Sequence, residues 1–220
     1  MLVLSNRKAA YGLTRASTAQ PPIPTAYLAL QPYLKSHPEH TRDDYDREVG
    51  QMVLAAKPDL VVLAGWMHVF GDGFLDIMGG SAPHVFGSTS DSDAPEEALS
   101  AQDLSSLVFP IPVINLHPAL PGQFDGANAI DRAWDAYQSS KASESHFLGK
   151  VYSTGVMVHR VVRQVDAGEP ILVEKVPFME GESKKQFEER LHGVEWRVIV
   201  WATEKVLKER AQQRWAGSRG

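Results

Sequence analysis

The chain has 220 residues, 43% hydrophobic and 22% charged, which is ordinary globular usage and argues against a disordered or fibrous protein. A formal charge of -5 with no basic stripe makes nucleic acid a poor partner, and the absence of cysteine excludes disulfides, thiolate metal ligands and cysteine nucleophiles. No apolar run approaches the roughly 20 residues of a membrane span, and Met1 to Arg7 lacks the basic-then-apolar order of a signal peptide, so a soluble cytoplasmic protein is expected.

Leu2-Val3-Leu4, ending in Ser5-Asn6, reads as a strand and turn, and Ala9 to Ala16 has helix-forming composition interrupted by Gly12. Gln20 to Pro24 is too rich in proline for a regular element. The next clear element opens at Thr41-Arg42-Asp43-Asp44, a capping box with Asp in place of Glu, followed by Tyr45, Val49, Met52, Val53 and Ala56 at helical spacing. Leu60 to Ala64 is apolar on both faces, which predicts a strand covered on both sides, as in a parallel sheet. Gly71 to Met78 predicts a short helix capped by Asp72.

From residue 79 to 109 the chain is acidic and rich in Ser, Gly and Ala, and a mobile surface insertion is expected there. Folded structure resumes at Pro110 to Leu116, a proline-led buried strand, with His117 to Gly122 as a loop because its prolines and glycine exclude regular structure. A helix is predicted over 128–139, with Ile130, Ala133, Trp134 and Tyr137 on one side. Strands are predicted over 150–162 and 171–176, joined by the turn residues Asp166 to Pro170. Ser183 to Gln186 is a second capping box, opening a long helix through Phe187, Leu191, Val194, Val198, Ala202 and Val206. Strands interspersed with helices over 1–220 indicate one α/β domain.

Chemistry concentrates at Asn115 and His117. Side chains two apart project from the same face of a strand, and the carboxyl end of a strand in an open α/β sheet is where ligands bind. An amide N–H can stabilise an oxyanion, and imidazole is the usual proton carrier near neutral pH. Asp166 is either a turn-former or the carboxylate that orients His117, and spacing alone leaves both readings open.

The segment Asn115-Leu116-His117-Pro118-Ala119-Leu120-Pro121-Gly122 resembles the Asn-x-His-Pro-Ser-Leu-Leu-Pro signature of the folate-dependent formyltransferases. Ser5 to Leu13, Arg42 to Asp46, Leu63 to Met67, Val165 to Leu172 and the region of Glu195 are similar, in the same order, to segments of the phosphoribosylglycinamide formyltransferases. The resemblance implies a Rossmann-like formyltransferase fold, with a mostly parallel central sheet flanked by helices. It implies transfer of a formyl group from 10-formyltetrahydrofolate to the amine of glycinamide ribonucleotide, a step of purine synthesis that uses no metal. In that family's pattern His117 is the general acid/base, Asn115 the oxyanion donor and Asp166 the carboxylate that holds the histidine charged, with His159 in a supporting role. Folate contacts fall on Arg42, Met67, His68, Val69, Phe70, Asn115, Val162, Arg163, Gln164, Val165 and Asp166. Many members carry arginine where His68 stands. Ribonucleotide contacts fall on His192, Gly193, Val194 and Glu195.

The family pattern also places a strand, a phosphate-gripping Gly-Ser-Asn loop and a helix before the segment that resembles Leu2 onwards. This first βα unit is missing from the sequence, so weak ribonucleotide binding and low stability are expected of the polypeptide as written. The alternatives are a formyl-folate deformylase or a non-catalytic folate-binding relative. The partner is expected to be a small molecule rather than nucleic acid or membrane, with the protein a monomer or homodimer.

Overall fold

The computed structural model describes residues 1–81, 107–142 and 151–217. Most of the expected insertion, residues 82–106, lies outside the described residues. The chain divides into two compact units, Met1–Val61 with His68–Ile111, and Val62–Met67 with Pro112–Gly220.

In the first unit, strands β1 (Val3–Ser5) and β2 (Thr25–Tyr27) pair in parallel around helix α1 (Tyr11–Ser17), with Leu4 opposite Ala26. Neither β2 nor helix α2 (Leu30–Ser36) is signalled by the sequence. Their elements are short and sit beside prolines, yet Pro24 still accepts a bond from the Val3 N–H at 2.9 Å. Pro32 falls in the first turn of α2, where a missing N–H breaks no intrahelical bond.

Helix α3 (Arg42–Ala55) carries the expected capping box in full: Asp44 N–H donates to Thr41 Oγ1, and the Thr41 N–H donates back to Asp44 at 2.8 Å. It buries Tyr45, Val49 and Leu54 and, outside any apolar pattern, Asp46. Helix α4 (Asp72–Gly79) packs on α3 so closely that a Cβ on Gly73 would stand 2.5 Å from the Asp43 carbonyl oxygen. The expected cap by Asp72 is not made. Gly71 holds the cap position, Asp72 is the first helical residue, and the Asp43 carboxylate of α3 accepts from Gly73 N–H at 2.7 Å instead.

The second unit is built on a four-stranded sheet in the order β3 (Val61–Leu63), β4 (Val113–His117), β5 (Ser153–Arg160), β6 (Pro170–Pro177); the first residue of β3 is counted with the other unit. The α/β class of the sequence reading holds, but the strand sense is mixed. β1 and β2 are parallel, whereas β4–β5 and β5–β6 are antiparallel. Residues 161–169 are too few for a parallel crossover, which needs about a dozen or more, so β6 can only return antiparallel. Val62 on β3 is 37% exposed and its neighbours are half-buried, so this strand is not covered on both faces as its composition suggested. His117 is the last residue of β4 rather than the first of the loop.

Helices α5 (Ala129–Ala142) and α6 (Lys184–Gly217) complete the unit. The Ser183–Gln186 capping box forms, and the six apolar positions expected along α6 are all buried. Trp134 and Tyr137 of α5, Phe178 and Phe187 make one aromatic cluster, with Tyr137 stacked on Phe178 at 4.3 Å between centroids. Among the described residues, no helix is long and apolar enough to cross a membrane.

Candidate active site

The register of the antiparallel pair sets the site. Asn115 lies opposite His159, and His117 opposite Met157, so the amide and both imidazoles share one face of the sheet. The strands then end, and Val161 N–H donates to Val113 O at 2.8 Å as the chain leaves β5 towards Asp166.

Asp166 takes a left-handed backbone, φ 52°, a conformation aspartate tolerates better than most residues. This turn needs a glycine two residues on. A Cβ on Gly168 would stand 1.6 Å from the Arg160 carbonyl oxygen, so only a bare Cα lets the turn close onto the end of β5.

The closed turn delivers one buried carboxylate to four groups. Asp166 Oδ1 stands 3.4 Å from Asn115 Nδ2 and 3.3 Å from His159 Nε2. Its Oδ2 accepts from Gly126 N–H at 2.8 Å and faces His117 Nδ1 at 3.5 Å. His159 Nδ1 lies 2.9 Å from Arg160 O, which can only accept, so that nitrogen carries the proton. Its Nε2 then accepts from Asn115 at 3.3 Å in the neutral ring, or donates to Asp166 as imidazolium.

His117 is 4% exposed, and its Nδ1 faces the carboxylate, which favours the proton on that nitrogen. Its Nε2 is buried and has no hydrogen-bond partner among the described residues. Such an orphaned atom is costly to bury unless something else binds there. A preorganised amide N–H, an aimed imidazole nitrogen and a carboxylate behind it are the elements of proton transfer at a carbonyl that develops negative charge. Among the described residues, no group of three or more His, Asp or Glu side chains could hold a metal ion.

The other expected contact residues fall elsewhere. Val162 to Val165 form the exposed approach to Asp166, with Val162 45% and Val165 41% exposed, and Met67 is 62% exposed. Arg42, His68, Val69 and Phe70 belong to the first unit, where Arg42 Nη2 donates to Val69 O at 2.6 Å and Phe70 is buried against Phe74. On α6, His192 pairs with the buried Glu195, while Val194 is turned into the core and Gly193 is half-buried.

The sequence reading missed Gly126 and Gly168, whose signal was no more than two turn dipeptides, Asp125-Gly126 and Ala167-Gly168. It also missed Arg132, which donates to the carbonyls of Phe124 and Asp125 and so holds the loop that presents Gly126.

Residues 1–88 and 105–203 match the family described as formyl transferase. The phosphoribosylglycinamide formyltransferase of Schizosaccharomyces pombe is 38% identical over 208 residues, covering 94% of this chain and 82% of that protein. That of Saccharomyces cerevisiae is 35% identical over 216 residues, with the same two coverages of 94% and 82%. The crystal structure of phosphoribosylglycinamide formyltransferase from Bacillus halodurans superposes with a TM-score of 0.65 at 25% identity, covering 94% of this chain and 79% of that one. The chain belongs to the formyl transferase family, within its phosphoribosylglycinamide formyltransferase branch.

Proposed function

We propose that the chain transfers the formyl group of 10-formyltetrahydrofolate to the amine of glycinamide ribonucleotide, using Asn115, His117 and Asp166. The observation that carries this reading is the single buried Asp166 carboxylate, shared by the His117 ring and the Asn115 amide, with the opposite nitrogen of His117 left without a partner among the described residues. That orphaned Nε2 fits a bound group with a proton to exchange.

Bound 10-formyltetrahydrofolate supplies the electrophilic formyl carbon. His117 Nε2 takes the proton released as the amine nitrogen bonds to that carbon, and returns it to the nitrogen that leaves. Asn115 Nδ2 donates to the formyl oxygen while it carries negative charge. Asp166 keeps His117 in the tautomer that exposes Nε2 and stabilises the imidazolium formed part-way. His159 shares the same carboxylate and restrains it from the far side.

For folate binding we assign Arg42, Met67 to Phe70 and Val162 to Asp166, and for the ribonucleotide His192 to Glu195. The partner is a small molecule, with no metal required, and a cytoplasmic monomer or homodimer is the form in which we expect the protein to act. A formyl-transfer assay with His117→Ala tests the reading. Turnover should fall about 10²- to 10⁴-fold, the usual contribution of a general acid/base, with the melting temperature preserved. Unchanged turnover in the variant would remove His117 from the mechanism, and an inactive parent would favour a folate-binding protein without catalysis.

A further inference from the structure

We propose that Asp46 is a positioning residue that holds segment 68–71 in its binding conformation, acting through His68 and the backbone of Gly71; the role in folate recognition rests on the assignment of that segment above. Asp46 lies on α3 between Tyr45 and Val49, off the helix's expected apolar positions, and yet it is 1% exposed. Placing a carboxylate there is unfavourable unless both oxygens are engaged.

Both are. Oδ1 stands 2.5 Å from His68 Nε2, and Oδ2 accepts from Gly71 N–H at 2.7 Å, so one carboxylate grips the two ends of a four-residue segment. Neighbouring side chains of the same helix extend the grip. Arg42 donates to Val69 O at 2.6 Å, and Asp43 accepts from Gly73 N–H at 2.7 Å. Residues 42 and 46 are one turn apart and so share a helix face, with 43 beside them. The His68 ring stands edge-on to Tyr45 at 5.3 Å and to Phe70 at 5.4 Å, which fixes its orientation as well as its nitrogen.

The stretch so held, between β3 and α4, has no ladder hydrogen bonds of its own, so helix side chains set its course. A segment that binds a ligand needs that course fixed before the ligand arrives, because ordering it afterwards would weaken binding.

The test uses Asp46→Asn, which keeps the shape and leaves one oxygen to accept from Gly71 N–H, but places an amide N–H₂ against His68. The expected result is a KM for 10-formyltetrahydrofolate raised on the order of tenfold, as for a lost charge-assisted hydrogen bond. The kcat and the KM for glycinamide ribonucleotide should stay within about twofold, which is little beyond the usual scatter of independent sites. His68→Leu should raise the same KM, and the double variant should raise it no further than either single one, as for two members of one contact. A merely structural role would lower the melting temperature and leave the KM of the folded enzyme unchanged, and that result overturns the proposal. An inactive parent would instead overturn the formyl-transfer reading itself, and the folate role of this segment with it.

Discussion

At Gly168 the absence of one carbon atom determines where the Asp166 carboxylate sits. A Cβ there would meet Arg160 O at 1.6 Å, and that oxygen also fixes the proton of His159. Gly168→Ala must therefore push the 164–168 turn off the end of β5 and carry Asp166 away from His117. Turnover should fall by at least about 100-fold, since displacements near 1 Å have that effect. Stability should drop by roughly 1–3 kcal/mol, the usual penalty of overpacking. Paired assays and denaturant melts check both, and a variant with parental turnover would show that the turn does not set the carboxylate. Asn115 and His117 were legible in the sequence because a strand's alternation puts residues two apart on one face. That Asp166 and His159 join them was expected from the family resemblance alone, since spacing cannot give it: it depends on the β4–β5 register and on a turn that folds back through a glycine.

Helix α3 shows what an element's sequence discloses and what it conceals. Its start and capping box follow from local spacing and appear in the structure, whereas of its expected apolar positions Tyr45 and Val49 are buried, Met52, Val53 and Ala56 are half-buried, and the buried Leu54 was not among them. In α6 the expected apolar positions are all buried, because its periodicity is long enough to outvote any local signal. The long-range bonds of Asp43 and Asp46 were hidden, because their partners lie 22 to 30 residues away and no local rule reaches them. Strand β2 and helix α2 were hidden for another reason: short elements flanked by prolines carry too few periodic positions to register. The cap itself yields a prediction. Bonds from the Thr41 backbone and hydroxyl hold the Asp44 carboxyl below the ordinary carboxylate range. A folded-state pKa depressed in this way adds stability above the unfolded value, about 3.9, and that stability is lost as pH falls through the folded value. Thr41→Ala should thus lower stability by about 1 kcal/mol at neutral pH, and by less once Asp44 is protonated in the parent as well. Melts at neutral and strongly acidic pH decide it; a difference that does not shrink at low pH would detach the cap from the Asp44 charge.

Across the whole molecule the chromophores divide by unit. All five tryptophans fall within residues 62–67 and 112–220, while four of the six tyrosines, Tyr11, Tyr27, Tyr33 and Tyr45, fall within residues 1–61. Tyr33 and Tyr45 are buried against each other with rings 5.7 Å apart, and their hydroxyls meet His40 Nδ1 and Leu28 O. Burial, reinforced by the charges of Glu48 and Asp44 for Tyr33 and of Asp46 for Tyr45, pushes both phenols from 10.0 up to about 12. The sign follows from linkage: neutral phenols favoured by the folded state stabilise it fully below about pH 10, and that contribution is lost as pH rises towards 12. A native-state titration of phenolate absorbance should accordingly show a late component near pH 12. Loss of far-UV helical signal should accompany the late component, because ionising either ring places a charge inside the α2–α3 packing. Tryptophan emission, recorded alongside, reports the other unit alone. Replacing both residues with phenylalanine, Tyr33→Phe with Tyr45→Phe, should abolish the late component, and its persistence in that variant would assign the late titration to other tyrosines.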